Sequence, residues 1–301
     1  MEAPMGPAAI YTLAALSALF WGANFNLAGP VLADMAPMNA AAARFGLATL
    51  IMAALVAGRG EVSAMLGIAR RYGGRLALVG VVGIAGFNTL FFDAMRTTTA
   101  VNGALIMATN PLLTALLAAL TLGERLPGRQ IAAIPVAMAG VAMVVLGGGS
   151  AGGAMEFGLG DVEMMGANLA WAGYNVLARK LTPPGPQLAN TTVMMAAGTL
   201  ALALAALVAG SAYTMPGPKA GAALLLMAVT GSVLAYLFWS MAITRLGAGR
   251  TALFLNLVPV FAAVIATLGG SPPNPAQLGG GAVVIAAVVF SMLPSRRRCI
   301  A

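Results

Sequence analysis

The sequence predicts an all-α polytopic membrane protein: ten transmembrane helices in two inverted five-helix repeats. Three observations predict it. Of the 301 residues, 60% are hydrophobic and only 8% are charged, and the mean hydropathy is +0.92. A soluble domain carries about 25% charged residues, so this chain cannot clothe a water-facing surface. Long apolar runs recur along the whole chain, and segments of the first half return in the second about 150 residues later.

Apolar runs between polar or Gly/Pro breaks give ten spans: residues 8–31, 39–57, 75–95, 99–120, 129–146, 158–178, 187–209, 220–244, 249–268 and 276–293. At about 20 residues per crossing, they leave only short connections and no room for a soluble domain. The first run is too long for the core of a signal peptide. Its N-terminal flank carries Glu2 instead of Lys or Arg, so it reads as a retained helix.

Loop charge orients the spans, because Lys and Arg concentrate on the cytoplasmic side. With the N-terminus inside, the inner loops hold Arg59, Arg70, Arg71, Arg75, Arg125, Arg129, Arg179, Lys180, Arg245 and Arg250. The tail adds Arg296, Arg297 and Arg298, which makes 13 of the 16 basic residues. Asp34, Glu156, Asp161 and Glu163 fall outside. This asymmetry predicts cytoplasmic N- and C-termini in a bacterial-type inner membrane. It also accounts for the net charge of +8 without nucleic acid.

The internal repeat is carried by short matches. Trp21-Gly22-Ala23-Asn24 returns as Trp171-Ala172-Gly173-Tyr174-Asn175, and Asn110-Pro111-Leu112-Leu113 as Val258-Pro259-Val260-Phe261. Gln130 opens the fifth span and Gln277 the tenth. The predicted division is a first repeat over 1–146, a Gly-rich linker over 147–157, and a second repeat over 158–301 with a basic tail. Five spans per half is an odd number, so the second copy enters the membrane upside down. Inverted repeats build alternating-access carriers, whose site lies near the midplane between the halves.

Composition excludes several chemistries. There is no histidine, and the single cysteine, Cys299, sits in the tail. Imidazole catalysis, His or thiolate metal sites and disulfides are therefore not expected, nor is any cofactor. The Gly147–Gly153 run lacks the Lys-Ser/Thr ending of a phosphate-binding loop. No enzyme activity is expected.

The candidate substrate-binding residues are Trp21, Asn24, Asn88, Phe91, Asn110, Trp171, Asn175, Tyr236, Trp239 and Asn256. Asparagine in hydrocarbon needs a partner. Either these residues bond a substrate's ammonium or carboxylate, or they bond across helices. The tryptophans lie several residues inside their spans, so a cavity wall competes with an interfacial belt. Aromatic rings with a few placed polar groups suit an amphipathic small molecule. Pro111 and Pro259 fall mid-span and predict kinks. Gly80, Gly83 and Gly86 predict a small stripe for close, sliding helix contact. Kinks and stripe are candidate gating elements, with plain structural roles as the alternative. Arg44 and Asp93 are charges inside spans. The expectation is that Arg44 snorkels toward headgroups and that Asp93 lies a turn from Arg96.

The paired halves, the early Trp-Gly-x-Asn, Arg44-Phe45, and Asn110-Pro111 followed by Leu122-Gly123-Glu124-Arg125-Leu126 resemble the EamA-type branch of the drug/metabolite transporter superfamily over nearly the whole chain. The resemblance implies a helical basket around a central cavity lined mainly by spans 1, 3, 4, 6, 8 and 9, with spans 5 and 10 peripheral. It also implies a one-chain exporter of amino acids or related metabolites. One departure stands out: Leu268-Gly269-Gly270-Ser271 occupies the place where the family pattern has Gly-Glu.

The leading functional expectation is a secondary transporter of small amphipathic metabolites, most of all exported aromatic or neutral amino acids. Its partners would be that substrate and the lipid bilayer, with a monomer sufficient. Export of other metabolites or drugs is the alternative. An intramembrane aspartyl protease is a further one, since Gly158-Leu159-Gly160-Asp161 spells Gly-x-Gly-Asp and Asp93 could share a proton with Asp161. Against the protease, Asp161 stands beside Glu163 at a span's outer edge, and a protease has no use for the repeat.

Overall fold

Prolines and glycines punctuate the chain into helices. The computed structural model describes residues 6–94, 106–107, 109–124, 127–148, 159–210, 212–268 and 275–293, and among these no strand occurs. Helix α1 (Pro7–Asp34) opens on a proline, whose missing N–H is no loss in a first turn. It bends by 42° between Pro7–Asn24 and Asn26–Asp34. Pro30 explains the bend, because its ring crowds the carbonyl four residues back, that of Asn26. Met35 and Ala36 are extended before Pro37, which starts α2 (Pro37–Gly58). Gly60, at φ 68°, turns the chain into α3 (Val62–Gly80).

Helix α3 runs through a π-helical segment, Val81–Gly86, into α4 (Phe87–Ala94). Then follow α5 (Asn110–Leu122), α6 (Gly128–Gly148), α7 (Leu159–Leu181) and α8 (Gln187–Val208). Helix α9 (Pro218–Leu226) passes through a second π-helical segment, Met227–Leu234, into α10 (Ala235–Leu246). Helix α11 (Ala248–Ala252), a 3₁₀ turn (Leu253–Asn256), α12 (Leu257–Leu268) and α13 (Pro275–Met292) complete the chain. Each of the ten predicted segments thus contains a helix. By length and apolarity, five described helices can cross a membrane, or six with the bent α1 taken as one span.

The outward faces carry leucine and valine where a soluble protein would carry charge. Leu50 is 70% exposed, Leu120 73%, Leu200 67% and Val208 88%. Apolar exposure on this scale is tolerated only against lipid or a partner. This is a multi-pass membrane protein.

Three expectations are corrected. The third span begins at Val62, not 75, so Arg70, Arg71 and Arg75 lie on a helix and not in a loop. A hydropathy window stops at charge, but a helix projecting from the apolar slab can carry it, and Arg71 and Arg75 stack on Tyr72 at 5.4 and 5.7 Å. The two prolines do not kink continuous α-helices. Pro111 is the second residue of α5, and Pro259 the third of α12, just after the 3₁₀ turn. Pro259 cannot donate to Leu255, and the tightened turn absorbs that loss. The three glycines do not form one stripe either. A Cβ on Gly80 would meet Met194 O at 2.0 Å and one on Gly83 would meet Tyr174 Cδ2 at 2.2 Å, but Gly86 faces only the carbonyl of Val81 in its own segment, at 3.3 Å. The π-helical turn shifts the phase between them.

Packing repeats between the halves. Gly83, in the first π segment, receives Tyr174 of α7, and Gly231, in the second, receives the amide of Asn24 of α1. Thr49 of α2 and Thr199 of α8, 150 residues apart, share a 2.8 Å hydrogen bond. Helices α6 and α13 cross where a Cβ on Gly140 would sit 2.8 Å from Gly280 O. Residues 149–158, most of the predicted linker, and the side chains of Asp161 and Gln277 lie outside the described residues.

These contacts make a stability prediction. Gly80→Ala forces the Met194 backbone to move and lowers the thermal midpoint in detergent, at a cost of about 1–3 kcal/mol. Gly46→Ala, whose Cβ would find its nearest neighbour at 4.0 Å, leaves the midpoint unchanged or raises it. Fluorescence-monitored melting of the two variants checks the contrast.

Candidate functional site

All three tryptophans converge inside the helix bundle, so none belongs to an interfacial belt. Trp21 of α1 meets Trp171 of α7 edge-on, with ring centroids 5.2 Å apart, and meets Trp239 of α10 at 4.9 Å. Tyr236 stands 5.9 Å from Trp21 and 5.8 Å from Trp171, and Phe45 of α2 closes on Tyr236 at 5.7 Å. Phe87 extends the cluster from Trp171 at 5.1 Å, and Phe91 stacks behind it at 5.6 Å. Edge-to-face pairs at such distances are favourable beyond their burial. Trp171, Trp239, Tyr174 and Tyr236 are all buried.

Beside the rings runs a buried polar chain. Trp239 Nε1 donates to Asn175 Oδ1 at 2.8 Å, and Asn175 Nδ2 donates to Thr114 Oγ1 at 3.3 Å. Thr114 Oγ1 donates to Asn110 Oδ1 at 3.0 Å, and Asn110 Nδ2 donates to Asn168 Oδ1 at 2.7 Å. Asn168 in turn donates to Thr109 Oγ1 and to Ile106 O, both at 2.7 Å. The chain ties α10, α7 and α5 together and satisfies polar atoms that lipid cannot. Asn110 and Asn175 therefore hold helices together, the second of the two roles open to them from sequence.

The other predicted residues divide. Asn88 Nδ2 donates to Ile84 O at 2.7 Å, within its own π-disrupted turn. Asn256 Nδ2 makes a 3.3 Å contact with Leu253 O in the 3₁₀ turn. Neither belongs to the ring cluster by any ring or hydrogen-bond contact. Trp21 Nε1 donates to Gly231 O at 2.9 Å. Two atoms in this region have no hydrogen-bond partner among the described residues: Trp171 Nε1, a donor, and Asn24 Oδ1, an acceptor. Burying either without a partner costs free energy, and in this conformation both atoms are closed off from solvent.

The sequence reading missed Asn168, Tyr174 and Ser232. Asn168 had a signal, since 168, 171 and 175 share one helical face. Ser232 had none, because only the fold brings Arg44 to it. Arg44 does not reach for headgroups as expected: its Nε donates to Ser232 Oγ at 2.8 Å. The protease signature is only partly placed, with residue 158 and the side chain of Asp161 outside the described residues.

At the far end of α7, Arg179 donates to the last carbonyls of α10, those of Ile243 and Thr244, and its Nε lies 3.8 Å from Glu124 Oε1. Glu124 also crowds Gly247, at φ 88°. Glu124 thus bridges the α5 terminus and the α10–α11 corner. A cavity of about 210 Å³ opens here, lined by Glu124, Gln130, Arg179, Arg245 and Arg250 among others.

The chain matches the EamA-like transporter family twice, over residues 8–146 and 158–293. It belongs to that family. Among relatives, it is 36% identical over 284 residues to the uncharacterized transporter YyaM of Bacillus subtilis (strain 168), covering 93% of this chain and 92% of the other. It is 32% identical over 225 residues to a probable terminal-alkyne amino-acid exporter of Streptantibioticus cattleyicolor, covering 74% and 73%. A solved crystal structure shares the fold at a TM-score of 0.81, with 20% identity over 97% of this chain and 99% of the other. The helical membrane fold expected from composition is thus the fold of this transporter family.

In the family member described here, the Trp239–Asn175 bond should carry weight. Asn175→Ala strands a buried indole N–H and costs about 1 kcal/mol. Adding Trp239→Phe removes the stranded donor, so the double variant is less destabilised than the two single effects summed. Melting curves of the four proteins form the double-mutant cycle, and strict additivity would refute the coupling.

Proposed function

We propose that the protein is a secondary transporter that exports small amphipathic metabolites, with neutral and aromatic amino acids as the main class. Ten spans in two inverted five-helix repeats, 1–146 and 158–301, rock about a shared site halfway across the bilayer. The linker 147–157 joins them, both termini face the cytoplasm of a bacterial-type cell, and one chain suffices because it holds both halves.

The observation that carries this reading is the meeting of Trp21 and Trp171, about 150 residues apart, beside two buried polar atoms without partners. An apolar side chain fits against the ring faces. An ammonium group can donate to Asn24 Oδ1, and an acceptor on the same molecule can take the Trp171 N–H. The amino-acid exporter among the relatives supports this class. Tyr236, Trp239 and Phe91 complete the apolar wall, and Asn110 and Asn175 brace it. Asn88 follows the first π-helical segment, which holds Gly83 and Gly86; Asn256 ends the 3₁₀ turn, which Pro259 follows; and Pro111 stands in the first turn of α5. These are the places where gating can bend the chain with the least loss of backbone hydrogen bonds.

Counterflow of labelled leucine, methionine and phenylalanine into proteoliposomes tests the proposal. Saturable flux is expected, with Trp21→Ala and Trp171→Ala each lowering it about tenfold or more. Leu50→Ala, on the lipid-facing side, leaves it unchanged. Absence of saturable flux for any amino acid or related metabolite ends the transport reading, and flux of cationic drugs alone replaces its substrate class.

A further inference from the structure

We propose that the guanidinium of Arg44 is the docking point for a carboxylate on the transported molecule. The proposal rests on the transport reading above and adds to it the substrate's charge.

Arg44 lies seven residues into α2, about 10 Å along the helix axis at 1.5 Å per residue. Helix α2 is itself long and apolar enough to cross a membrane. Arg44 Nε donates to Ser232 Oγ at 2.8 Å, and its guanidinium sits 5.0 Å from the Phe45 ring centroid. A guanidinium has five N–H donors. The four on its terminal nitrogens have no acceptor among the described residues, and no described carboxylate lies within ion-pair distance. A cation inside a membrane pairs with an anion or faces a cavity. Here it can satisfy itself only by reaching back to headgroups or by receiving an anion. The bond to Ser232 turns it inward, because Ser232 is fully buried in the π segment of the facing helix.

A second observation points to the same place. Gly231, next to Ser232, accepts the Trp21 indole N–H and packs against the Asn24 amide. Asn24 is buried, and its Oδ1 has no partner. Two consecutive residues, Gly231 and Ser232, thus meet an acceptor without a partner from α1 and a cation without a counter-ion from α2. That is the complement of a zwitterionic head group, with carboxylate on Arg44 and ammonium on Asn24. The Phe45, Tyr236 and Trp21 rings beyond it take an apolar tail. The substrate class is an α-amino acid or a close analogue with a free carboxylate. Amines without one lack the group that offsets the buried charge.

The test uses the purified full chain in detergent and matched probes: leucine, methionine and phenylalanine against their carboxamides and their decarboxylated amines. Ligand-induced thermal stabilisation and equilibrium binding are read for each. At least one acid is expected to bind, with its amide and amine about 10- to 100-fold weaker, the loss expected for a charge-assisted hydrogen bond. Arg44→Gln abolishes the preference for the acid. Arg44→Lys keeps part of it, having the charge without the fork. Ser232→Ala keeps the charge and loses only its anchor, with a smaller effect. If Arg44→Gln does not fold, the probe series on the unmodified protein and on Arg44→Lys still decides. Acid, amide and amine binding equally, or an undiminished acid preference in Arg44→Gln, overturns the proposal, as does no binding of any acid. The transport reading fails separately: saturable counterflow of a cationic drug with no carboxylate bound leaves a transporter without an Arg44 anchor, and no flux of any compound removes both.

Discussion

A bilayer interior offers no hydrogen-bond partners, so every polar atom that the chain carries into it must be met by another part of the protein or by a ligand. That constraint organises the centre of this molecule. The chain from Trp239 through Asn175, Thr114 and Asn110 to Asn168 meets it internally and joins three helices. Threonines elsewhere meet it by folding back on their own helices, as Thr192 does onto Leu188 O at 2.8 Å. Among the described residues six buried atoms stay without a partner: Glu61 Oε2, Gln130 Oε1, Asn190 Oδ1 and Asn256 Oδ1 are spread over the chain, and Asn24 Oδ1 and Trp171 Nε1 lie by the aromatic cluster. A structure that accounts so closely for its polar atoms makes the exceptions informative.

Close approach of helices is the second requirement, and glycine supplies it. Gly80 lets α3 lie against the backbone of α8, and Gly140 and Gly280 do the same for α6 and α13. Small residues permit the dispersion contacts that replace the missing hydrophobic drive between helices in lipid. At Gly83 and Gly231 the glycine coincides with a π-helical segment. The wider turn and the absent side chain together admit Tyr174 in one half and Asn24 in the other. Adding a Cβ at either position would expel the residue that reaches across.

Much of this was legible in the sequence. The apolar runs located the helices, because lipid imposes one simple demand over some twenty residues. The repeat of Trp21 at Trp171 pointed to the two rings that meet, and Asn24, Asn175 and Trp239 were found as polar or amphipathic side chains set within apolar spans. What the sequence did not carry were features set by three-dimensional pairing. Nothing in Val81–Gly86 or Met227–Leu234 announces a π-helical turn, since its local pattern is that of any apolar helix. The start of α3 at Val62 was hidden by Arg70, Arg71 and Arg75, because hydropathy reports the slab and not the helix. The role of Arg44 depended on Ser232, which is 188 residues away and unremarkable in its own context.

The scaffold repeats, but its chemistry does not. Counting on by about 150 residues, the mate of Asn24 is Tyr174, the mate of Arg44 is Met194, and the mate of Ser232 is Ile84. The backbone crossings at Gly83 and Gly231 match, while the polar groups stand on one side of the pseudo-symmetry only. This division of labour has a physical consequence for the proposed carrier. Matched crossings let two conformations lie close in energy, which exchange between the two sides requires. In that carrier an unmatched cation and acceptor would fix which end of a bound molecule points where, so the ligand itself would supply the difference between the two states. A fully symmetric pocket would bind a zwitterion equally well in two orientations and could not hold it in one register as the helices move. On the proposed reading, the asymmetry of a few side chains on a repeated frame is what would let one site be both mobile and selective.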